Sequence, residues 1–198
     1  MQKPVYDRLF INSGFIIMSK LVILDRDGVI NYDSDEYVKS VDEWQPIPGS
    51  IEAISELCKA GFKVTIATNQ SGLARGYFQQ SDLDQMHDKL HLLLEKQGGS
   101  ITQIEFCPHG PDDNCSCRKP LAGMINTILS SHPDTAPGDV FVVGDSLRDL
   151  EAGISAGCKP LLVETGKGKK TLATGGLPSN TIVCKSLSDA LDTIIQLT

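Results

Sequence analysis

Five side chains with catalytic potential follow short apolar runs in the chain, four of them at or just beyond the run's end and one, Lys119, at the end of the loop after the third run. They are Asp25, Asp27, Thr68, Lys119 and Asp145. Aspartates are hard oxygen ligands suited to Mg²⁺, whereas a threonine hydroxyl and a lysine ammonium can bind the oxygens of a phosphoryl group. A carboxylate beside a metal can attack phosphorus and form an aspartyl-phosphate. A second carboxylate two residues away can protonate the leaving oxygen and then activate water.

These side chains can act together only if the elements that carry them end at one place. Residues 21–24, 62–67, 101–106 and 140–143 are short apolar runs typical of buried strands. Segments with helical spacing alternate with them, for example 50–61 and 81–97. The alternation predicts an α/β, doubly wound, mostly parallel Rossmann-like sheet, in which the carboxyl ends of the strands share one edge.

Each of these residues also has an ordinary structural explanation. Aspartate is common in turns that follow strands, Thr68 could be a turn residue, Lys119 a solvated charge and Asp145 a helix cap. That explanation requires a separate coincidence at each of four successive strand ends. We therefore prefer the interpretation that the residues converge to do phosphoryl chemistry.

Two further segments flank the predicted sheet edge. The acidic stretch 32–44 is expected to form a surface loop or short hairpin near the end of the first strand, and no large cap domain fits between Asp25 and Thr68. The glycine- and lysine-rich segment 166–176 is expected to be a mobile loop. The predicted site is therefore fairly open.

Three of the six cysteines lie within eleven residues, in a segment 107–117 that we call the cysteine loop. Its candidate ligands are Cys107, His109, Cys115 and Cys117. Three thiolates and an imidazole make a closed tetrahedral set, which is typical of a structural Zn²⁺ site without an open position for catalysis. A disulfide pair with a bystander histidine is the alternative, but two cysteines separated by one residue rarely bridge well. We therefore expect zinc, which would fix Arg118 and Lys119 directly after the last ligand.

Composition limits the possible partners and domain organisation. The 198 residues are 40% hydrophobic and carry a net charge of −7, which disfavours non-specific nucleic-acid binding and gives no basic membrane patch. No apolar run is long enough to span a membrane. Residues 1–18 are expected to be a leader outside the fold, with one domain over 19–198. Because the leader lacks a signal-peptide pattern, we expect a cytoplasmic protein, with nothing to require an oligomer.

Four motifs together resemble the haloacid dehalogenase-type phosphatase superfamily: D-x-D-G-x-x-N from Asp25, T-N-Q-S-G from Thr68, R-K-P from Arg118 and G-D-S-x-x-D from Gly144. The resemblance covers residues 21–163. It implies that Asp25 is the nucleophile and Asp27 the general acid and base, and that Thr68 and Lys119 bind the phosphoryl oxygens. It also implies Mg²⁺ held by Asp25, the Asp27 backbone carbonyl and Asp145, with Asp149 supporting the site through water or by orienting Lys119.

The cysteine loop resembles that of the branch that holds bacterial heptose-bisphosphate phosphatases and histidinol-phosphatases. The run TNQSGLARG at 68–76 and the G-M pair at 123–124 are similar to the heptose enzymes, whereas the short span from His109 to Cys115 is similar to the histidinol-phosphatases.

This resemblance implies removal of the 7-phosphate of D-glycero-D-manno-heptose 1,7-bisphosphate, on the route to activated heptose for lipopolysaccharide. It implies substrate contacts from Asp33, Tyr37, Asn69, Gln70, Ser71 and Arg118. Hydrolysis of histidinol phosphate and a non-catalytic phosphosugar-binding module are the alternatives.

Overall fold

A six-stranded, wholly parallel sheet is the centre of the computed structural model, which describes residues 20–198. The predicted leader, residues 1–18, lies outside the described residues. The strands are β1 (Lys20–Leu24), β2 (Phe62–Asn69), β3 (Gln103–Cys107), β4 (Phe141–Gly144), β5 (Lys159–Val163) and β6 (Ile182–Cys184). The helices are α1 (Ser50–Lys59), α2 (Gln80–Glu95), α3 (Gly123–Ser131), α4 (Leu147–Ser155), α5 (Gly168–Thr174) and α6 (Leu187–Gln196), with a 3-10 turn at Pro137–Asp139.

Helices cover both faces of the sheet, which makes the central strands apolar on both sides. In β1, Val22 and Leu24 belong to the larger core, and Leu21 and Ile23 belong to a second core on the opposite face. The larger core includes side chains of α1, α2 and α6, and the second core includes side chains of α3 and α4. All four residues of the run are fully buried. The predicted doubly wound α/β fold is confirmed.

The strand order β3-β2-β1-β4-β5-β6 puts the first strand in the middle of the sheet. The connections therefore reverse direction between β1 and β4, and ligands of open α/β sheets bind at the carboxyl ends beside such a reversal. Asp25 follows β1 at this point and its backbone N–H donates to Val143 O at 2.8 Å. Asp145 follows β4 on the neighbouring strand. The topology thus brings two of the predicted site residues together.

Residues 32–44, which we call the flap, fold over the end of β1 without forming a strand pair. Trp44 is fully buried, and Lys89 of α2 donates to the carbonyl oxygens of Val41 (2.9 Å) and Trp44 (2.7 Å). The connection from β1 to β2 otherwise holds only α1 and turns. No cap domain is therefore present within residues 20–198, as expected.

The prediction of a mobile loop over residues 166–176 is wrong, because most of the segment forms α5. Gly168 lies so close to β5 that a Cβ atom there would overlap Val163 O. The Thr171 hydroxyl donates to Asp145 O at 2.8 Å. Tertiary contacts with the end of the sheet, rather than helix propensity, therefore stabilise this short helix.

In the described part of the chain, none of the helices has the length and apolar character needed to cross a lipid bilayer.

Candidate active site and metal clusters

A buried lysine links two carboxylates at the centre of the sheet edge. Lys119 Nζ lies 3.0 Å from Asp25 Oδ1 and 2.6 Å from Asp149 Oδ1, and it donates to Ala67 O at 2.7 Å. Only 3% of the Lys119 side chain is exposed, so it is not the solvated charge of the alternative explanation. Asp149 also accepts from the N–H (3.0 Å) and hydroxyl (2.6 Å) of Ser146 at the start of α4. Of the two roles expected for Asp149, the direct contact fits the orientation of Lys119.

Burial dominates the acidity of the carboxylates nearest this lysine. It raises the pKa of Asp25 to about 6, even though the charge of Lys119 lowers it. Burial likewise raises the pKa of Asp145 to about 8, and the charges of Asp25 and Asp149 add to the effect. Burial alone would lower the pKa of Lys119, but the charges of Asp149 and Asp25 outweigh it and the pKa is raised. Negative charge is thus in excess, which favours binding of a cation.

Asp27 lies in a separate hydrogen-bond network. Its Oδ1 accepts from Asn31 Nδ2 (2.8 Å) and its Oδ2 from Gln70 Nε2 (2.8 Å), while an Arg26 terminal nitrogen lies 2.9 Å from both oxygens. Burial would raise the pKa of Asp27, but the Arg26 charge and these hydrogen bonds outweigh it and hold the pKa below its usual value. Gln70 also donates to the Thr68 hydroxyl at 3.0 Å. The network therefore connects the ends of β1 and β2.

The segment after β5 holds Asp145 from the other side. The Lys167 N–H donates to Asp145 Oδ2 at 2.7 Å, and the Thr165 hydroxyl donates to Gly28 O at 2.6 Å. Gly28 (φ +84°) and Gly166 (φ +55°) both lie so close to Asp145 that a Cβ atom at either would overlap its carboxylate. A side chain at either position would displace that carboxylate.

The carboxylates of Asp25, Asp145 and Asp149 place oxygens within 4.8 Å of one another. Such hard oxygen donors fit Mg²⁺. Asp25 and Asp145 are the better candidates, because Lys119 and Ser146 already occupy both oxygens of Asp149.

The cysteine loop brings its four predicted ligands together. Cys107 Sγ lies 3.2 Å from Cys117 Sγ, 3.7 Å from Cys115 Sγ and 3.6 Å from His109 Nδ1. A tetrahedron with zinc–sulfur bonds of about 2.3 Å has edges of about 3.8 Å, so the donor set fits zinc closely. All six cysteines are free thiols in the described chain, which does not support the disulfide alternative.

One cavity at the sheet edge gathers the predicted residues. It is lined by the catalytic candidates Asp25, Asp27, Thr68, Lys119 and Asp145 and by the substrate-binding candidates Asp33, Tyr37, Asn69, Gln70, Ser71 and Arg118. Tyr37 has φ +67°, in the left-handed region, and its ring lies 5.1 Å from that of Tyr77. Two of the substrate-binding candidates have their amides engaged by the protein itself. Gln70 binds Asp27 and Thr68, and Asn69 binds the backbone of Lys119.

Two cations in this cavity were missed from the sequence, namely Arg148 and Lys167. Arg148 lies on α4, and both it and Arg118 also line a second cavity beside the cysteine loop. Lys167 Nζ pairs with Asp33 (2.9 Å) and Asp35 (3.6 Å) of the flap. Arg148 lies one residue before Asp149 inside a recognised motif, and that position was the available signal. Lys167 was missed because it lies in the segment predicted to be a mobile loop.

Comparisons with known proteins agree with this geometry. The HAD-hydrolase-like family model matches residues 116–190. A curated relative from Bordetella bronchiseptica, named D-glycero-β-D-manno-heptose-1,7-bisphosphate 7-phosphatase, is 54% identical over 177 residues, covering 89% of this chain and 98% of the relative. A relative of the same name from Pseudomonas putida is 52% identical, covering 85% of this chain and 95% of its own length.

Two solved structures of heptose 1,7-bisphosphate phosphatases also match this chain. The crystal structure of the D,D-heptose 1,7-bisphosphate phosphatase from B. bronchiseptica, complexed with magnesium and phosphate, matches with a TM-score of 0.88 at 54% identity, over 90% of this chain and 99% of that one. The corresponding phosphatase from Burkholderia thailandensis matches with a TM-score of 0.71 at 44% identity, over 89% and 98%. Because the two curated relatives are more than 50% identical over at least 85% of this chain and the sheet edge fits their chemistry, the chain belongs to the family of D-glycero-β-D-manno-heptose-1,7-bisphosphate 7-phosphatases, within the HAD-like hydrolases.

Proposed function

We propose that the protein is a Mg²⁺-dependent phosphatase that removes the 7-phosphate of D-glycero-β-D-manno-heptose 1,7-bisphosphate through an aspartyl-phosphate. The contact between Asp25 and Lys119 is the observation that carries this proposal. It puts a nucleophile and a phosphoryl-binding cation in one buried site beside Asp145. The names of the relatives support the substrate and its β anomer.

The proposed nucleophile is the Oδ2 atom of Asp25. Its Oδ1 already accepts from the Arg26 N–H at 2.7 Å and contacts Lys119, which leaves Oδ2 without a hydrogen bond in the described structure. Asp25, Asp145 and the Asp27 carbonyl would hold Mg²⁺, which supplies positive charge against the phosphoryl oxygens when bound. Lys119 and the Thr68 hydroxyl would bind the same oxygens and orient phosphorus for attack.

Asp27 is the proposed general acid and base. In the first step a bond forms between Asp25 and phosphorus while the bond from phosphorus to the sugar oxygen breaks, and Asp27 gives that oxygen a proton. The negative charge of the entering phosphoryl group favours the protonated form of Asp27, opposing Arg26. In the second step water attacks phosphorus, Asp27 takes its proton, and the Asp25–phosphorus bond breaks.

Two arginines are proposed to bind the phosphate that stays on the sugar. Within residues 20–198 neither Arg118 nor Arg148 pairs with a carboxylate, and the only side-chain hydrogen bond of either runs from Arg118 to His109 O at 3.1 Å. The other cations of the cavity, Lys119 and Lys167, are already paired with aspartates. A planar guanidinium suits the bidentate binding of a phosphate.

The cysteine loop is proposed to hold structural Zn²⁺, which would fix Arg118 and Lys119 without entering the reaction. We also propose that the protein acts in the cytoplasm as a monomer on this small phosphosugar, without a nucleic-acid or membrane partner. The net charge of −7 and the free thiols of the metal cluster support this setting.

The test compares kcat/KM with Mg²⁺ for heptose 1,7-bisphosphate (β and α anomers), heptose 7-phosphate and histidinol phosphate. We expect the β bisphosphate to be preferred, with release of the 7-phosphate confirmed by ³¹P NMR of the product. Arg148→Met should lower kcat/KM for the bisphosphate about tenfold and leave kcat/KM for heptose 7-phosphate unchanged. Arg75→Met, a change at an exposed arginine outside the cavity, is the matched control.

Three results would contradict the proposal. Preference for histidinol phosphate would overturn the substrate and the assignment of both arginines. Turnover by Asp25→Asn would overturn the aspartyl-phosphate mechanism, and failure of the wild type to release phosphate from any substrate would favour a binding module.

A further inference from the structure

The last residue of β2 and the first residue of the turn after it contact the chain on both sides of the cysteine loop. At the start of the loop, Gln70 N–H donates to Cys107 O at 2.7 Å. Two residues beyond the loop, Asn69 Nδ2 donates to Lys119 O at 3.1 Å, and Asn69 Oδ1 accepts from Lys119 N–H at 3.0 Å. Two adjacent residues therefore join the strand end that carries Thr68 to both ends of a loop that lies up to 50 residues away.

Asn69 is engaged by the protein rather than directed at a ligand. Both polar atoms of its side chain are bonded to the backbone of one residue, and the two bonds together fix the orientation of the amide. The backbone of Lys119 is thereby fixed by Asn69, while its ammonium is fixed by Ala67 O, Asp25 and Asp149. Lys119 is thus restrained at both ends of its side chain.

We propose that Asn69 is a positioning residue for Lys119. Its paired hydrogen bonds fix the backbone position of Lys119 where the chain leaves the cysteine loop. They thereby fix the position of the lysine ammonium relative to Asp25. The inference deepens the proposed function, because it rests on Lys119 as the cation that binds the transferring phosphoryl group. It gives the Asn69 side chain a role in addition to the substrate contact that the resemblance implies.

Loss of Asn69 should affect the chemical step more than substrate binding. In Asn69→Ala the lysine backbone is free to shift, and a displacement of about 1 Å at a reacting group can cost about 100-fold in rate. We therefore expect kcat to fall at least about tenfold, with KM changed less than about threefold. Asn126→Ala, at an exposed asparagine on α3, controls for asparagine removal. Ser71→Ala, in the same turn and lining the cavity, provides a comparison in which KM should rise instead.

Amide hydrogen exchange gives a readout that does not depend on turnover. The Lys119 N–H is protected by Asn69 Oδ1, so its exchange, followed by NMR in the zinc-loaded protein, should accelerate about tenfold or more in Asn69→Ala. Ser71→Ala and Asn126→Ala should leave it unchanged. If Asn69→Ala does not fold, Asn69→Ser, which keeps a shorter hydrogen-bonding side chain, takes its place in both measurements.

A tenfold rise in KM with kcat and Lys119 exchange unchanged would overturn the inference, because Asn69 would then contact the substrate. Unchanged exchange alone would also overturn it. If the wild type releases no phosphate from the heptose bisphosphate, the proposed function fails, and the exchange measurement alone decides whether Asn69 holds Lys119.

Discussion

Replacing Lys119 by methionine should separate its contribution to stability from its contribution to catalysis. The ammonium lies 3.0 Å from Asp25 and 2.6 Å from Asp149, and the side chain is 3% exposed. Removing one partner from a buried pair leaves uncompensated buried charge and costs about 3–5 kcal/mol. At about 2–4 °C per kcal/mol for a chain of this size, the melting temperature should fall by about 6–20 °C.

A second substitution tests whether the unpaired carboxylate charge causes the loss of stability. Asp149→Asn in the Lys119→Met background removes one of the unpaired carboxylates and should recover at least about half of the lost stability. Activity should not return, because a preorganised cation against the phosphoryl oxygens is worth about 100-fold or more in kcat. Stability would thus be restored without catalysis.

The assay is thermal unfolding by circular dichroism in Mg²⁺-free buffer, since Mg²⁺ would itself neutralise the carboxylates, together with kcat for the heptose bisphosphate. Lys59→Met is the matched control, because its pair with Glu56 is exposed and should contribute less than about 0.5 kcal/mol. A melting temperature of Lys119→Met within 2 °C of the wild type, or an active double variant, would refute the reasoning.

Three further predictions follow from the metal sites. Because burial raises the pKa of Asp145 to about 8 and that of Asp25 to about 6, Mg²⁺ affinity should rise about tenfold per pH unit from pH 6 to 8 and level off above. Calorimetry at pH 7 in two buffers should detect about one proton released, and no release would contradict it. Gly166→Ala should weaken Mg²⁺ binding and stability by overlapping Asp145, whereas Gly138→Ala, which meets open space, should change neither; equal effects would count against the close approach. Removing zinc should lower kcat until zinc, not Mg²⁺, is added back, and full activity of the zinc-free protein would disprove the role of the cysteine loop.

Convergence of the site was predictable because parallel strands end at one edge. Asp25 and Asp145 each follow a strand directly and Thr68 lies at the end of β2, so the shared edge of the parallel strands was enough to bring them together. The cysteine loop was predictable from ligand spacing alone. In both cases the signal is local, because each catalytic candidate lies beside its own strand and the four cysteine-loop ligands lie within eleven residues.

The rest depended on contacts between segments that are distant along the chain. The helix α5 forms where the sequence predicts a loop, because Gly168 packs against Val163 and Thr171 binds Asp145. Asn69 lies in a motif that resembles substrate-binding loops, yet its amide binds a residue 50 positions away. No local spacing encodes these pairings, since each depends on how the completed sheet places its connections.

The central position of β1 has a consequence for synthesis of the chain. Its neighbour β4 begins at Phe141, so about 120 residues must follow β1 before the strand is paired on both sides. At about 5–20 residues per second this lasts about 6–24 s. During that time the run Leu21–Leu24, fully buried in the finished protein, is an apolar edge that can pair with other chains. Fragments that end before Phe141 should therefore aggregate, and nascent chains should need shielding by chaperones until β4 has emerged.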